Sequence, residues 1–294
     1  MKLVKKDLLD NIVNKDPLNK EEKKILEAIR HQNLSIEEMR VLAKGLKYPN
    51  KSQIKKFNHN KGNYNFKFGL LGDTHMGNKS TLKEELHNFY NTLYKKGVRD
   101  FYHAGDLVDG LHVHRGQEYE LYALGMTQQA QDVINDYPHK KDVNTYWIQG
   151  NHDLWYKSNA GGDISSLVDS NRPDIHCLGE SEADIKLTKS GTTLRLMHPG
   201  GGSSYALSYK PQKIIESISG GNKPNILGIG HYHKALQMIY RNVNTFLTGC
   251  FEAQTPFMRS KNLAAHVGGW LIEGKSGKQG GIKEITATFV PYYL

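Results

Sequence analysis

Cysteine is almost absent from this chain. Its 294 residues hold two, Cys177 and Cys250, with no CxxC pair. That argues against a disulfide-built scaffold and a cysteine zinc site, and it points to a reducing, cytoplasmic setting. Long apolar runs are missing too: none reaches the roughly 18–20 residues that a membrane helix needs. The opening MKLVKKDLLDNIVNK breaks its apolar residues with charge, so no secretory signal and no membrane partner are expected. What is present, 38% hydrophobic and 23% charged residues, fits a globular protein and excludes collagen-like, coiled-coil and wholly disordered classes. The length suits one large domain with an appendage.

Acidic residues are the other shortage, 30 against 39 Lys and Arg, a formal charge of +9. The deficit is local. Residues 1–62 hold 15 basic and 8 acidic residues, a net of +7, whereas the other 232 hold 24 and 22, a net of +2. In the basic part, Leu8, Leu9, Ile12 and Val13 share a helical spacing. Asn19 and Glu22 form a capping-box pattern ahead of Ile25, Leu26 and Ile29, and Ser35 and Glu38 do the same ahead of Met39, Leu42, Ala43 and Leu46. The Tyr48-Pro49-Asn50 break ends the last helix. Two such helices and a short turn have helix-turn-helix dimensions, and the polar stretch 51–63 has the composition of a linker. Two domains are therefore expected: a basic helical region with its linker over 1–62, and a main domain over 63–294. The first is either a phosphate-attracted DNA-binding module or a solvated extension packed on the second.

From residue 65 the pattern changes to alternating strands and helices. A strand over 66–71 runs into Gly72-Asp73-Thr74-His75, and a helix is expected over 82–96. A strand over 100–104 ends in Gly105-Asp106-Leu107-Val108-Asp109-Gly110. A helix over 119–137 precedes a strand at 145–149 and the turn Gly150-Asn151-His152-Asp153. Strands at 194–197 and 225–229 deliver His198 and Gly230-His231-Tyr232-His233. This alternation predicts an α/β layered fold with its site at strand C-termini. Asp, Asn and neutral His are donors suited to Mn²⁺, Fe²⁺ or Zn²⁺, and five such strand ends in one chain point to a metal centre. The segments 236–251 and 270–293 read as strands and hairpins that complete the second sheet, the latter with a flexible basic turn over 274–281.

The series D-x-H, G-D-x-x-D-G, G-N-H-D, H and G-H-x-H resembles the calcineurin-like metallophosphoesterase family over about residues 66–235. The resemblance implies a four-layer fold, two mixed sheets forming a sandwich flanked by helices. It implies two divalent cations: Asp73, His75 and His233 on the first, Asn151, His198 and His231 on the second, Asp106 bridging. Mn²⁺ leads, with Fe, Zn, Ni and Mg as alternatives. A bridging hydroxide would attack phosphorus, His152 would protonate the leaving oxygen, and Asp153 would hold His152 in orientation. Asp109 is read as supporting the loop or a ligand rather than binding metal, and His103 as structural.

Departures narrow the substrate. Ser/Thr protein phosphatases of this superfamily carry GDxVDRG and GNHE, whereas Gly110 stands in place of that Arg and Asp153 in place of the Glu. Losing the Arg removes a bidentate clamp that matters most for a dianionic monoester. The signatures are similar to those of the double-strand-break repair nucleases that partner SMC-like ATPases and of the small subunit of archaeal polymerase D. Asp109 stands where those nucleases commonly carry His. The expected function is a phosphodiesterase or nuclease acting on nucleic acid, DNA over RNA, with a partner ATPase or self-association compatible with it. The alternatives are a small-molecule or cyclic-nucleotide phosphodiesterase and a non-enzymatic DNA-binding subunit. Candidate substrate contacts are His114, Trp155 and, after the Gly200-Gly201-Gly202 loop, Lys210 and Lys213.

Overall fold

The computed structural model describes residues 54–292, with the side chains of Asn60 and Lys61 left aside. The helix-turn-helix expectation over residues 1–53 lies outside the described residues. The described unit has twelve strands: β1 Lys55–Gly62, β2 Asn65–Leu71, β3 Asp100–His103, β4 Asn144–Gln149, β5 Ile175–Glu180, β6 Glu182–Thr188, β7 Thr193–Met197, β8 Ile226–Ile229, β9 Ala235–Tyr240, β10 Val243–Thr248, β11 Gly268–Ser276 and β12 Ile282–Pro291. They form two six-stranded mixed sheets, ordered β12-β11-β2-β3-β4-β5 and β1-β6-β7-β8-β10-β9. Six helices accompany them: α1 Lys83–Lys95, α2 Met126–Asp136, α3 Asn151–Ala160, α4 Ile164–Asn171, α5 Tyr209–Ser217 and α6 Pro256–Ser260.

Period-two patterning explains the layers. In β2, Phe66, Phe68 and Leu70 face one way and meet Ile185, Leu194, Leu196, Ile226 and Phe246 of the other sheet, while Leu71 faces the helices with Phe89, Phe101 and Trp147. A third cluster packs Ile215 of α5 on Leu227, Ile229 and Leu247 at the outer face of the second sheet. Helix, sheet, sheet, helix is the four-layer sandwich expected. Strands β2, β3, β4 and β5 run parallel, as do β7, β8 and β10. The loops after β2, β3 and β4 thus leave one edge together, and those after β7 and β8 meet them there.

Three expectations are corrected. The stretch assigned to a linker contributes β1, which pairs parallel with β6 from Lys55 to Gly62. Phe57 is its one described apolar side chain on the inter-sheet core, with His59 stacked on Tyr102 beside it, so its composition resembles that of a linker. The tail does not complete the second sheet: β11 pairs antiparallel with β2 and carries β12, so only β9 and β10 extend the second sheet. Finally, the helix placed over 119–137 begins at Met126. The Gln128 side chain accepts from the amides of Leu124 and Gly125 and starts it there, leaving residues 111–125 to line the site.

Candidate metal centre

Sharp turns aim the polar groups at one another. Of eleven non-glycine residues with positive φ among the described residues, five are Asp73, His75, Asp106, His231 and His233, at φ 47–78°. Asp and His tolerate the left-handed region better than bulkier side chains, and such outliers gather at functional sites. The loops are stitched by backbone: Asp73 N donates to Gly105 O and Thr74 N to Asp106 O, each at 2.9 Å. The His231 amide donates to both Asp73 carboxylate oxygens at 2.8 and 3.0 Å, joining the sheets. Gly150 is required by space, since a Cβ there would collide with the Asp106 carboxylate and the His198 ring.

The arrangement gathers all seven residues that the motif assigns to metal. Asp73, His75 and His233 present donor atoms to one point, and Asp106, His198 and His231 to a second. Asn151 Oδ1 lies 3.0 Å from His198 Nε2 and 2.9 Å from His231 Nδ1. The far nitrogen of each ring fixes what the near one carries. His198 Nδ1 donates to Ala104 O at 2.8 Å and His231 Nε2 to Gly201 O at 2.8 Å, so in the neutral rings the nitrogens facing Asn151 Oδ1 hold the lone pairs. His75 Nδ1 donates to Asp109 Oδ1 at 2.8 Å, and its Nε2 faces His233 Nε2 at 3.0 Å. With the rings neutral, acceptors converge on shared points, and a divalent cation fits there in place of a proton.

Charge supports the same fit. Burial, then the nearby Asp106 charge, holds Asp73 well above the carboxylate range despite His198. Asp106 goes the other way: against the burial, His198 and His152 hold it well below that range. Burial would lower His198, but Asp106, 3.0 Å away, lifts it to about 9. The centre calls for positive charge.

The supporting residues are those the motifs leave unassigned. Asp109, 2% exposed, binds His75 through one oxygen and Asn78 Nδ2 (3.1 Å) and Gln117 Nε2 (2.9 Å) through the other. Glu252, also 2% exposed, stands 3.6 Å from His233 Nδ1; burial, then Asp109 and Asp73, push it well above the usual range. The sequence signal for Glu252 is faint, one acid after Cys250-Phe251. His103 is buried as expected, bonded to Thr74 Oγ1, and burial lowers it to about 3.

His152 Nδ1 donates to the Asp109 carbonyl at 2.6 Å, leaving Nε2 toward the cavity, 4.0 Å from Asp106 Oδ2. Asp153 does not orient it. Instead the buried Asp153 carboxylate accepts from the amides of Val108 (2.9 Å), Leu107 (3.2 Å) and Gly150 (2.8 Å), tying two ligand loops together. Burial, helped by the Asp106 charge, raises it to about 7.

The centre opens into a cavity of about 460 Å³. Of the candidate substrate contacts, His114 lines it, its ring stacked on Phe257 at 4.1 Å. Trp155 packs on the helical core beside His112 instead. Lys210 lies in a recess beside Ser203 and Tyr232, and exposed Lys213 pairs with Glu216 at 2.9 Å. Gly202 and Ser203 reach the cavity, as does Lys261, which no motif marks.

A family model described as calcineurin-like phosphoesterase matches residues 66–238. Among curated proteins, the DNA polymerase II small subunit of Archaeoglobus fulgidus is 28% identical, covering 66% of this chain and 48% of that protein. Its counterpart in Methanocaldococcus jannaschii is 24% identical, covering 66% and 40%. The chain spans about half the length of the curated relatives it matches. Among solved structures, one described as a novel archaeal phosphodiesterase aligns with a TM-score of 0.42 and 12% identity, over 76% of this chain and 99% of that one.

Proposed function

The chain belongs to the calcineurin-like phosphoesterase family, and on that premise we propose that it is a two-metal phosphodiesterase that cleaves DNA. The observation that carries this reading is the convergence of lone pairs from His75, His233, His198, His231 and Asn151 around a shared, buried Asp106. Two divalent cations, Mn²⁺ first among them, would be held by Asp73, His75 and His233 and by Asn151, His198 and His231, with Asp106 common to both. When bound, they supply Lewis-acid polarisation of a phosphate and a water acidic enough to ionise near neutrality. His152 holds one proton at Nδ1 for the Asp109 carbonyl and presents Nε2 to the cavity, positioned to protonate a leaving oxygen.

A diester suits the site better than a monoester. Position 110 has φ +69°, and a Cβ there would run into the His152 carbonyl, so no guanidinium reaches the phosphate from this loop. The names of the curated relatives support DNA as the substrate and a larger subunit as a partner. Residues 1–53 carry 12 basic and 8 acidic residues, a net of +4. Removing them, with the cut before Ile54 so that β1 survives, is expected to weaken DNA binding and flatten its salt dependence while small-diester turnover persists. Incubation with Mn²⁺ and labelled single- and double-stranded DNA tests the main reading. Cleavage by the wild type that is lost in Asp106→Asn and His152→Ala supports it; no cleavage, or equal cleavage by the variants, sinks it. The bounded cavity favours one alternative, a small-molecule or cyclic-nucleotide phosphodiesterase, which a nucleotide panel in the same assay separates.

A further inference from the structure

Beyond the metal ligands the cavity is built for something other than phosphate. Its far wall is apolar: Val113, Phe257, Met258 and Leu263, with the His114 and Phe257 rings stacked at 19° between planes. Lys261 adds one cation. The wall also holds Glu120, whose side chain is 10% exposed. Its Oε1 accepts from the Phe257 amide at 3.1 Å. Its Oε2 is buried with no hydrogen-bond partner among the described residues; His114 Nε2, at 4.0 Å, is too far to donate. A buried acceptor left unmade is costly, so an Oε2 in a cavity wall marks where a donor belongs.

We propose that this cavity is a single-nucleoside site that selects a base bearing an exocyclic amine: the base lies along the His114–Phe257 stack and its amine donates to Glu120 Oε2. A flat aromatic group fits the rings and apolar wall, a cavity of about 460 Å³ is of the size that small ligands fill, and the phosphate of the same nucleotide falls at the metal ligands. The proposal rests on the phosphodiesterase reading only for that last placement. It makes Glu120 and Phe257 specificity-determining residues for the nucleotide beside the scissile bond.

Cytosine and uracil differ at one ring edge, an amine in place of a carbonyl, and so provide the test. Calorimetric titration of the Mn²⁺-loaded full chain with dCMP, dUMP and 2-deoxyribose 5-phosphate is expected to rank them in that order. dCMP should exceed dUMP about tenfold, the worth of one hydrogen bond. Glu120→Gln keeps an oxygen for the Phe257 amide and turns the free position into a donor, so the preference should move to dUMP. Phe257→Ala should bring both nucleotides close to the sugar phosphate. Equal binding of dCMP and dUMP, a sugar phosphate that binds as well as either, or a ratio unmoved by Glu120→Gln overturns the proposal. Because binding is read without turnover, selective binding by a chain that cleaves no diester would instead overturn the proposed function alone.

Discussion

The two halves of the metal centre use the same donor types but are backed differently. In the first half, His75 Nδ1 donates to the Asp109 carboxylate at 2.8 Å, while His233 Nδ1 has no hydrogen-bond partner among the described residues, Glu252 lying 3.6 Å away. In the second, the outer nitrogens of His198 and His231 face backbone carbonyls, Ala104 and Gly201, each at 2.8 Å. The first half also has the acid Asp73 where the second has neutral Asn151. A carboxylate behind an imidazole makes it a stronger donor and adds charge, whereas a carbonyl fixes ring orientation without a net charge. The first half should therefore take up its cation more tightly, and side-chain replacement should tune it. The second half is set by main chain and answers to loop conformation.

The comparison breaks most severely at the residue both halves share. Asp106→Asn is expected to lower diester turnover by roughly 10³-fold, the scale on which losing a charge-stabilising group acts, and elemental analysis should find fewer than two cations per chain. Next comes the carboxylate behind His75: Asp109→Asn should weaken the tighter of two Mn²⁺ binding steps by about 10–100-fold and leave the weaker step in place. Calorimetry on metal-stripped protein reads both steps; equal losses in both would erase the distinction. A smaller effect is expected from the loop behind His231. Gly201 has φ +83°, and a Cβ there would meet only Lys210 Nζ at an ordinary 3.8 Å, so Gly201→Ala should cost about 1 kcal/mol of strain and weaken only the second step, by less than about tenfold.

The smallest effect on metal binding, though not on stability, is expected at the buried His103. His103 is neutral, its pKa lowered by burial to about 3 against an ordinary 6.5. Between those values the unfolded chain binds a proton that the folded one refuses, so stability is full above pH 6.5 and falls as pH drops toward 3. Thermal melts of metal-free protein should show a shallower decline over that window in His103→Asn, although its melting point at neutral pH is lower.

Much of the site could be read from the chain because donors stand beside a glycine at the end of an apolar strand, a local signal for Asp73, Asp106, Asn151 and His231, while His198 ends its strand two residues before Gly200. Their supports could not be. Glu252 follows β10, Gln117 lies in a loop, and the Ala104 carbonyl belongs to every residue alike; only tertiary structure brings them behind the right rings. Asp153 shows the same limit, since adjacency to His152 suggested a partnership that helix geometry turns away, toward the amides of Leu107 and Val108. In the fold, β11 was legible as a strand but not its sheet, because period-two alternation marks a buried face and says nothing of which neighbour supplies the hydrogen bonds.

The left-handed backbone at Asp73, His75, Asp106, His231 and His233 sets folding and ligation against each other. Glycine would relax each of these turns and remove the donor in the same substitution. A redesign scored on foldability alone would thus dismantle the centre one position at a time, improving the scaffold as it did so. An alanine scan errs in the opposite direction, because alanine loses the donor and keeps the strained turn, and so overstates what each ligand contributes. Isosteric exchanges, Asp for Asn above all, change the chemistry while leaving the bend to a residue that tolerates it.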